Sequence, residues 1–128
     1  MKILSIKESA RHPKMAKIYT QLGIQEDVVN TIRKANAYIK SNRPDVIVTE
    51  FFYAYGTNYS SGHVSNLDML FVTLQKYQCN AKIITFVDKS ELQYIDKLIA
   101  IYPLDHFFVY PVNNDEFEQY LKQLCSKH

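Results

Sequence analysis

The residue with the clearest chemical potential is Glu50, which closes the run Asp45-Val46-Ile47-Val48-Thr49-Glu50. A carboxylate at the carboxyl end of a buried strand stands where open parallel sheets place their sites. Lys7 and Glu8 follow a first apolar run, Lys2 to Ile6, so Lys7 is expected to pair with Glu50 across neighbouring strand ends. Other chemistries lack their parts. His12, His63, His106 and His128 are scattered with no metal-binding spacing, and no metal is expected. Ser60 and Ser61 belong to no nucleophile elbow, and His63 has no recognisable orienting partner. Lys7 to Lys14 holds no glycine, which weakens any phosphate cradle for a nucleotide or flavin. No cofactor is expected.

The elements that would position Glu50 are those of one α/β domain. A chain of 128 residues with 47% hydrophobic and 22% charged content can bury one substantial core. Fifteen basic against thirteen acidic residues leave a charge of +2, which does not argue for nucleic acid. No apolar run reaches membrane-spanning length, and Met1 to Ile6 is unlike a secretory leader. Cys79 and Cys125 lie far apart and suit a reducing compartment, so a cytoplasmic location is expected.

Short apolar runs alternate with helical patterns, as in a parallel sheet covered on both faces. Strands are expected at Lys2 to Ile6, Ile24 to Val29, Asp45 to Glu50, Ala81 to Val87 and His106 to Tyr110. Glu26 and Asp27 place the second at an edge. Helices are expected from Pro13 to Gly23, after a cap at Asn30, after the Ser65/Asp68 pair, from Ser90 to Tyr102 and after a cap at Asn114. The whole chain, 1–128, forms one domain with no repeat or linker. The expected fold is a flavodoxin-like three-layer α/β/α sandwich with a five-stranded parallel sheet of order 2-1-3-4-5.

Two segments look suited to contacts. Leu92, Ile95, Ile99 and Tyr102 form one apolar stripe and Tyr94, Leu98 and Ile101 another, more than one buried face needs. A protein partner or homodimer is therefore expected on the 90–102 helix, at Tyr94, Leu98, Ile101 and Tyr102. The loop from Phe51 to Val64 carries Tyr53, Tyr55 and Tyr59 among Asn and Ser residues, a mixture found at recognition surfaces and in lids.

The text Arg43-Pro44-Asp45-Val46-Ile47-Val48-Thr49-Glu50 resembles the strand that delivers the phosphoacceptor aspartate in response-regulator receiver (CheY-like) domains. Phe107-Phe108-Val109-Tyr110-Pro111-Val112 resembles that family's last strand and its Lys-Pro dipeptide. The resemblance implies a place in two-component signalling, with Phe107 at the switch-aromatic position, and partner contacts through the fourth helix, fifth strand and fifth helix. It also implies a degenerate pocket. Lys7 and Glu8 stand where the family has an acid pair for magnesium, and Glu50 replaces the acceptor. Val87 or Asp88 replaces the hydroxyl residue, and Tyr110 replaces the lysine. Phosphoryl transfer depends on positioning and charge neutralisation, and these departures impair both. The expectation is a pseudo-receiver that is not an enzyme and that works through protein contacts. The alternatives are a phosphorylatable atypical receiver in a phosphorelay and a small-ligand-binding flavodoxin-like protein. Glu50 would be a phospho-aspartate mimic or a strand-end acid paired with Lys7.

Overall fold

The computed structural model describes residues 1–53, 65–102 and 104–127. Five strands, β1 (Lys2–Ile6), β2 (Gln25–Val29), β3 (Val46–Glu50), β4 (Lys82–Val87) and β5 (His106–Val109), form one sheet of order β2-β1-β3-β4-β5. Every neighbouring pair is parallel. The helices between them are α1 (Ala16–Gln21), α2 (Ile32–Ser41), α3 (Asp68–Lys76), α4 (Leu92–Ile101) and α5 (Asn114–Lys127). A 3-10 turn at Lys89–Glu91 leads into α4.

Side chains alternate across each strand and feed two cores. Leu4, Ile6, Ile47, Ile83 and Val87 pack with Ala35 and Ile39 of α2, Leu70, Phe71 and Leu74 of α3, and Ile95 and Leu98 of α4. On the other face Ile3, Val46, Val48, Ile84, Phe86 and Phe108 pack with Tyr19 of α1 and with Phe117 and Leu121 of α5. This is the expected flavodoxin-like, CheY-like three-layer sandwich. All five residues of β3 are buried, including Glu50 at its end.

The edge strand resolves the charges that seemed to interrupt it. Glu26 accepts from Ser5 Oγ at 2.6 Å, and Asp27 accepts from Tyr38 Oη at 2.7 Å. Helix boundaries shift by a few residues. The first helix starts at Ala16 rather than at Pro13, and Gly23, at φ +70°, follows its end in the left-handed region glycine favours. The cap of α2 is Thr31, not Asn30, with its side chain accepting from the Lys34 amide. At α5 it is Asn113, not Asn114, that accepts from the Glu116 amide, at 3.1 Å.

Candidate functional site: the Glu50 crevice

Glu50 ends β3 at zero exposure, on the sheet face shared with Val46 and Val48. A buried carboxylate must be hydrogen-bonded or neutralised. Here five hydrogen bonds among the described residues end on it. Its Oε2 accepts from the backbone amides of Glu8 (2.8 Å) and Ser9 (3.1 Å) and faces His12 Nδ1 at 3.4 Å. Its Oε1 accepts from Ser9 Oγ and from Tyr110 Oη, the latter at 3.0 Å. A carboxylate offers about four lone-pair positions, so this one is saturated. Burial pushes its pKa up, but donation from His12, from the Ser9 hydroxyl, from Tyr110 and from the Ser9 amide outweighs burial and holds it at about 2. His12, itself buried, sets its ring edge-on to Phe86 at 5.3 Å.

The segment after β1 is thus folded inward onto the end of β3. Asn66 fastens the other side, donating from Nδ2 to Glu8 Oε1 (2.7 Å) and to the Glu50 carbonyl (2.8 Å). Burial raises the Glu8 pKa, the Asn66 bond opposes that rise, and the nearby Glu50 charge adds to it. Above them Arg11 lies over the Tyr110 ring, 4.1 Å from its centroid, and contacts Asp88 Oδ1 at 2.6 Å. Asp88 is held at about 2 by donation from Ser90 and then from Arg11. The Tyr110 phenol is raised well above its usual range by burial and by the Glu50 charge. A shallow cavity of about 320 Å³ lies beside Arg11 and Tyr110, bounded by Pro13, Pro111 and Val112, and Glu50 is not among its walls.

The expected residues therefore converge in part. Glu8, Glu50 and Tyr110 meet, with Asp88 at the rim. Lys7 does not join them, contrary to the expected Lys7–Glu50 pair. Its amide donates to the Val29 carbonyl (2.8 Å), and its Nζ lies 3.9 Å from Glu26, because the acids of the edge strand offer the nearer anion. Val87 is also corrected. It is fully buried in the core shared with Ile95 and Leu98, on the sheet face opposite Phe86. Phe107 packs, half-buried, on that same core.

The 90–102 face needs revision as well. Leu98 is fully buried, and Tyr102 stacks on Phe71 with centroids 4.8 Å apart. Tyr94 stacks on Tyr53 at 3.6 Å, and the Tyr53 amide donates to Glu91 Oε2 at 2.6 Å. Of the four residues expected on a partner surface, Ile101 is the one that stands exposed, with Ile99 beside it. The core takes Ile95 and Leu98, one from each apolar stripe, so neither stripe stays whole. Tyr55 and Tyr59 lie outside the described residues.

Ser9, Arg11 and Asn66 complete the site and were not singled out from sequence, and His12, weighed there only as a metal ligand, joins them. Backbone amides, which carry two of the Glu50 bonds, leave no residue-type signature at all. A divalent cation, which the receiver fold implies, does not fit this arrangement. The Glu8 and Ser9 N–H groups point at Glu50 Oε2, and Glu8 is engaged by Asn66, so hydrogen-bond donors stand against the oxygens a cation needs. Among the described residues no cluster of three His, Cys, Asp or Glu is disposed to hold a metal.

Comparison with sequence-family models finds no match, and no curated protein is similar in sequence. Solved structures are similar in fold. A CheY-like response-regulator receiver domain protein from Methanospirillum hungatei JF-1 superposes with a TM-score of 0.72 at 13% identity, covering 98% of this chain and 94% of that one. The receiver domain of Francisella response regulator 1452 gives 0.66 at 21% identity, covering 98% and 97%. The signal receiver domain of a signal transduction histidine kinase from Syntrophus aciditrophicus gives 0.71 at 18% identity, covering 98% and 90%. With this sheet order and these structural likenesses, the chain has the fold of response-regulator receiver domains.

Proposed function

We propose that this domain is a cytoplasmic pseudo-receiver, a signalling module that acts through protein–protein contact without aspartyl phosphorylation. The observation that carries this reading is the saturation of Glu50. A nucleophilic carboxylate needs a free lone pair, an approach path and a nearby cation to neutralise the incoming phosphoryl oxygens. Glu50 is at zero exposure with its lone pairs occupied, and Lys7 is directed to Glu26. Two free cysteines, Cys79 buried and Cys125 half-buried, agree with a reducing compartment. Among the described residues no helix is long and apolar enough to cross a membrane.

Glu50 also differs from a phospho-aspartate mimic that would display its charge. Fully buried and bonded by Glu8, Ser9, His12 and Tyr110, it works as an internal anchor tying the segment after β1 and the residue after β5 to β3. Incubation with acetyl phosphate and Mg²⁺ followed by intact mass measurement tests the proposal. No phosphate adduct is expected. An adduct that disappears in Glu50→Gln or in Asp88→Asn would overturn it.

A further inference from the structure

We propose that the groove between α2 and α3 is a docking site for an acidic amphipathic helix of a partner protein. This inference rests on the reading of the domain as a protein-contact module and names the chemistry of its partner. The sequence of α2, Ile-Arg-Lys-Ala-Asn-Ala-Tyr-Ile-Lys-Ser, holds three cations and no acid. Ala35 and Ile39 turn into the core, while Ile32, Arg33, Asn36, Ala37 and Lys40 line the groove with Met69 of α3 opposite. The spacing of these five positions keeps them along one side of the helix for two turns. The cavity measures about 610 Å³.

Three features mark this surface as incomplete. Met69 and Val72, three residues apart on α3, are 48% and 42% exposed, although Leu70, Phe71 and Leu74 of the same helix are buried. Arg33, Lys34 and Lys40, the three cations of α2, make no ion pair among the described residues, and the helix carries no acid of its own to answer them. Asn36 Oδ1 is out of water with no donor among the described residues.

Charge complementarity and the apolar floor together select the occupant. Arg33 and Lys40 are seven residues apart, about 10 Å along the axis, which matches carboxylates two turns apart on a facing helix. Ile32, Ala37 and Met69 require apolar side chains between those carboxylates. A phosphate backbone would satisfy the cations and leave Met69, which lines the groove, uncovered.

The test uses the full chain and a fluorescein-labelled helical peptide with Leu at i, i+3 and i+7 flanked by Glu, beside the same peptide with every Glu replaced by Lys. The Glu peptide is expected to bind, more weakly as salt rises. Arg33→Glu with Lys40→Glu, or separately Met69→Asp, should weaken it about tenfold or more. The gentler Arg33→Ala with Lys40→Ala should act in the same direction, and Ile99→Asp on α4 should leave binding unchanged. Absence of binding, equal binding of the Lys peptide, or binding that survives the charge reversals would overturn the proposal. So would tighter binding of a random oligonucleotide than of the peptide, or self-association of the chain that the charge reversals abolish. None of these outcomes bears on phosphorylation, so failure of this inference is distinguishable from failure of the pseudo-receiver reading, which the phosphate-adduct measurement tests.

Discussion

The Glu50 crevice and the α2–α3 groove both place charge beside apolar packing, and they differ in where that charge finds its partners. In the crevice the protein supplies them all. Two amides, a serine, a histidine and a tyrosine meet one carboxylate, and Arg11 and Asp88 close the rim by pairing with each other. In the groove Arg33 and Lys40 have no anion among the described residues and Met69 is half exposed. A site whose polar groups are internally satisfied holds the fold together, and one whose groups are left over is free to engage another molecule.

The largest expected effect comes from removing the anchor. Glu50→Ala leaves several buried donors without an acceptor and should cost about 3 to 5 kcal/mol of stability, read by urea denaturation. Charge reversal at Arg33 and Lys40 should instead leave stability within about 0.5 kcal/mol, since both are surface positions.

Acid should act on the same anchor. The folded-state pKa of Glu50, about 2, lies below its ordinary value of 4.5. Its contribution to stability, on the order of 3 kcal/mol, is therefore present above the ordinary value and is lost as pH falls from about 5 toward 2. Glu8, raised in the folded state, contributes in the opposite sense and becomes slightly unfavourable as pH rises past its folded value. Denaturation midpoints measured across this range should fall steeply in the native chain and more gently in Glu50→Gln. Equal slopes would mean that Glu50 is not the group involved.

Tyr110→Phe removes one bond from a carboxylate that keeps its other donors, so a loss of about 1 to 2 kcal/mol is expected by thermal or chemical denaturation. Within the crevice the smallest effect belongs to the rim. Arg11→Ala should cost less than about 1 kcal/mol, as for other exposed ion pairs, and that cost should shrink with added salt.

The sheet and its order were legible because apolar runs of strand length alternate with helical stripes, and buried parallel strands leave that pattern. The acid at the end of β3 was legible for the same reason, whereas its meeting with Tyr110 was implied by the resemblance of Tyr110-Pro111 to the receiver family's Lys-Pro dipeptide. Lys7 was misplaced because a one-residue step beyond β1 decides which neighbour it faces. Glu26, read as a blemish in a strand, proved to be its partner. The α4 surface was overestimated because Ile95 and Leu98, drawn from two different stripes, lie close enough on the helix to serve one core. Ser9 and Asn66 gave no advance signal, as their roles depend on a folded-in segment and on amide groups every residue possesses.

The central claim, that Glu50 is a saturated internal anion and not a phosphoacceptor or metal ligand, is tested most directly by following its side-chain carboxyl carbon by NMR against pH, with and without Mg²⁺. The account predicts a resonance that stays at its ionised position from neutral pH down toward pH 2 and does not move when Mg²⁺ is added. Titration near the ordinary glutamate value of 4.5, or a Mg²⁺-dependent shift at neutral pH, would contradict it.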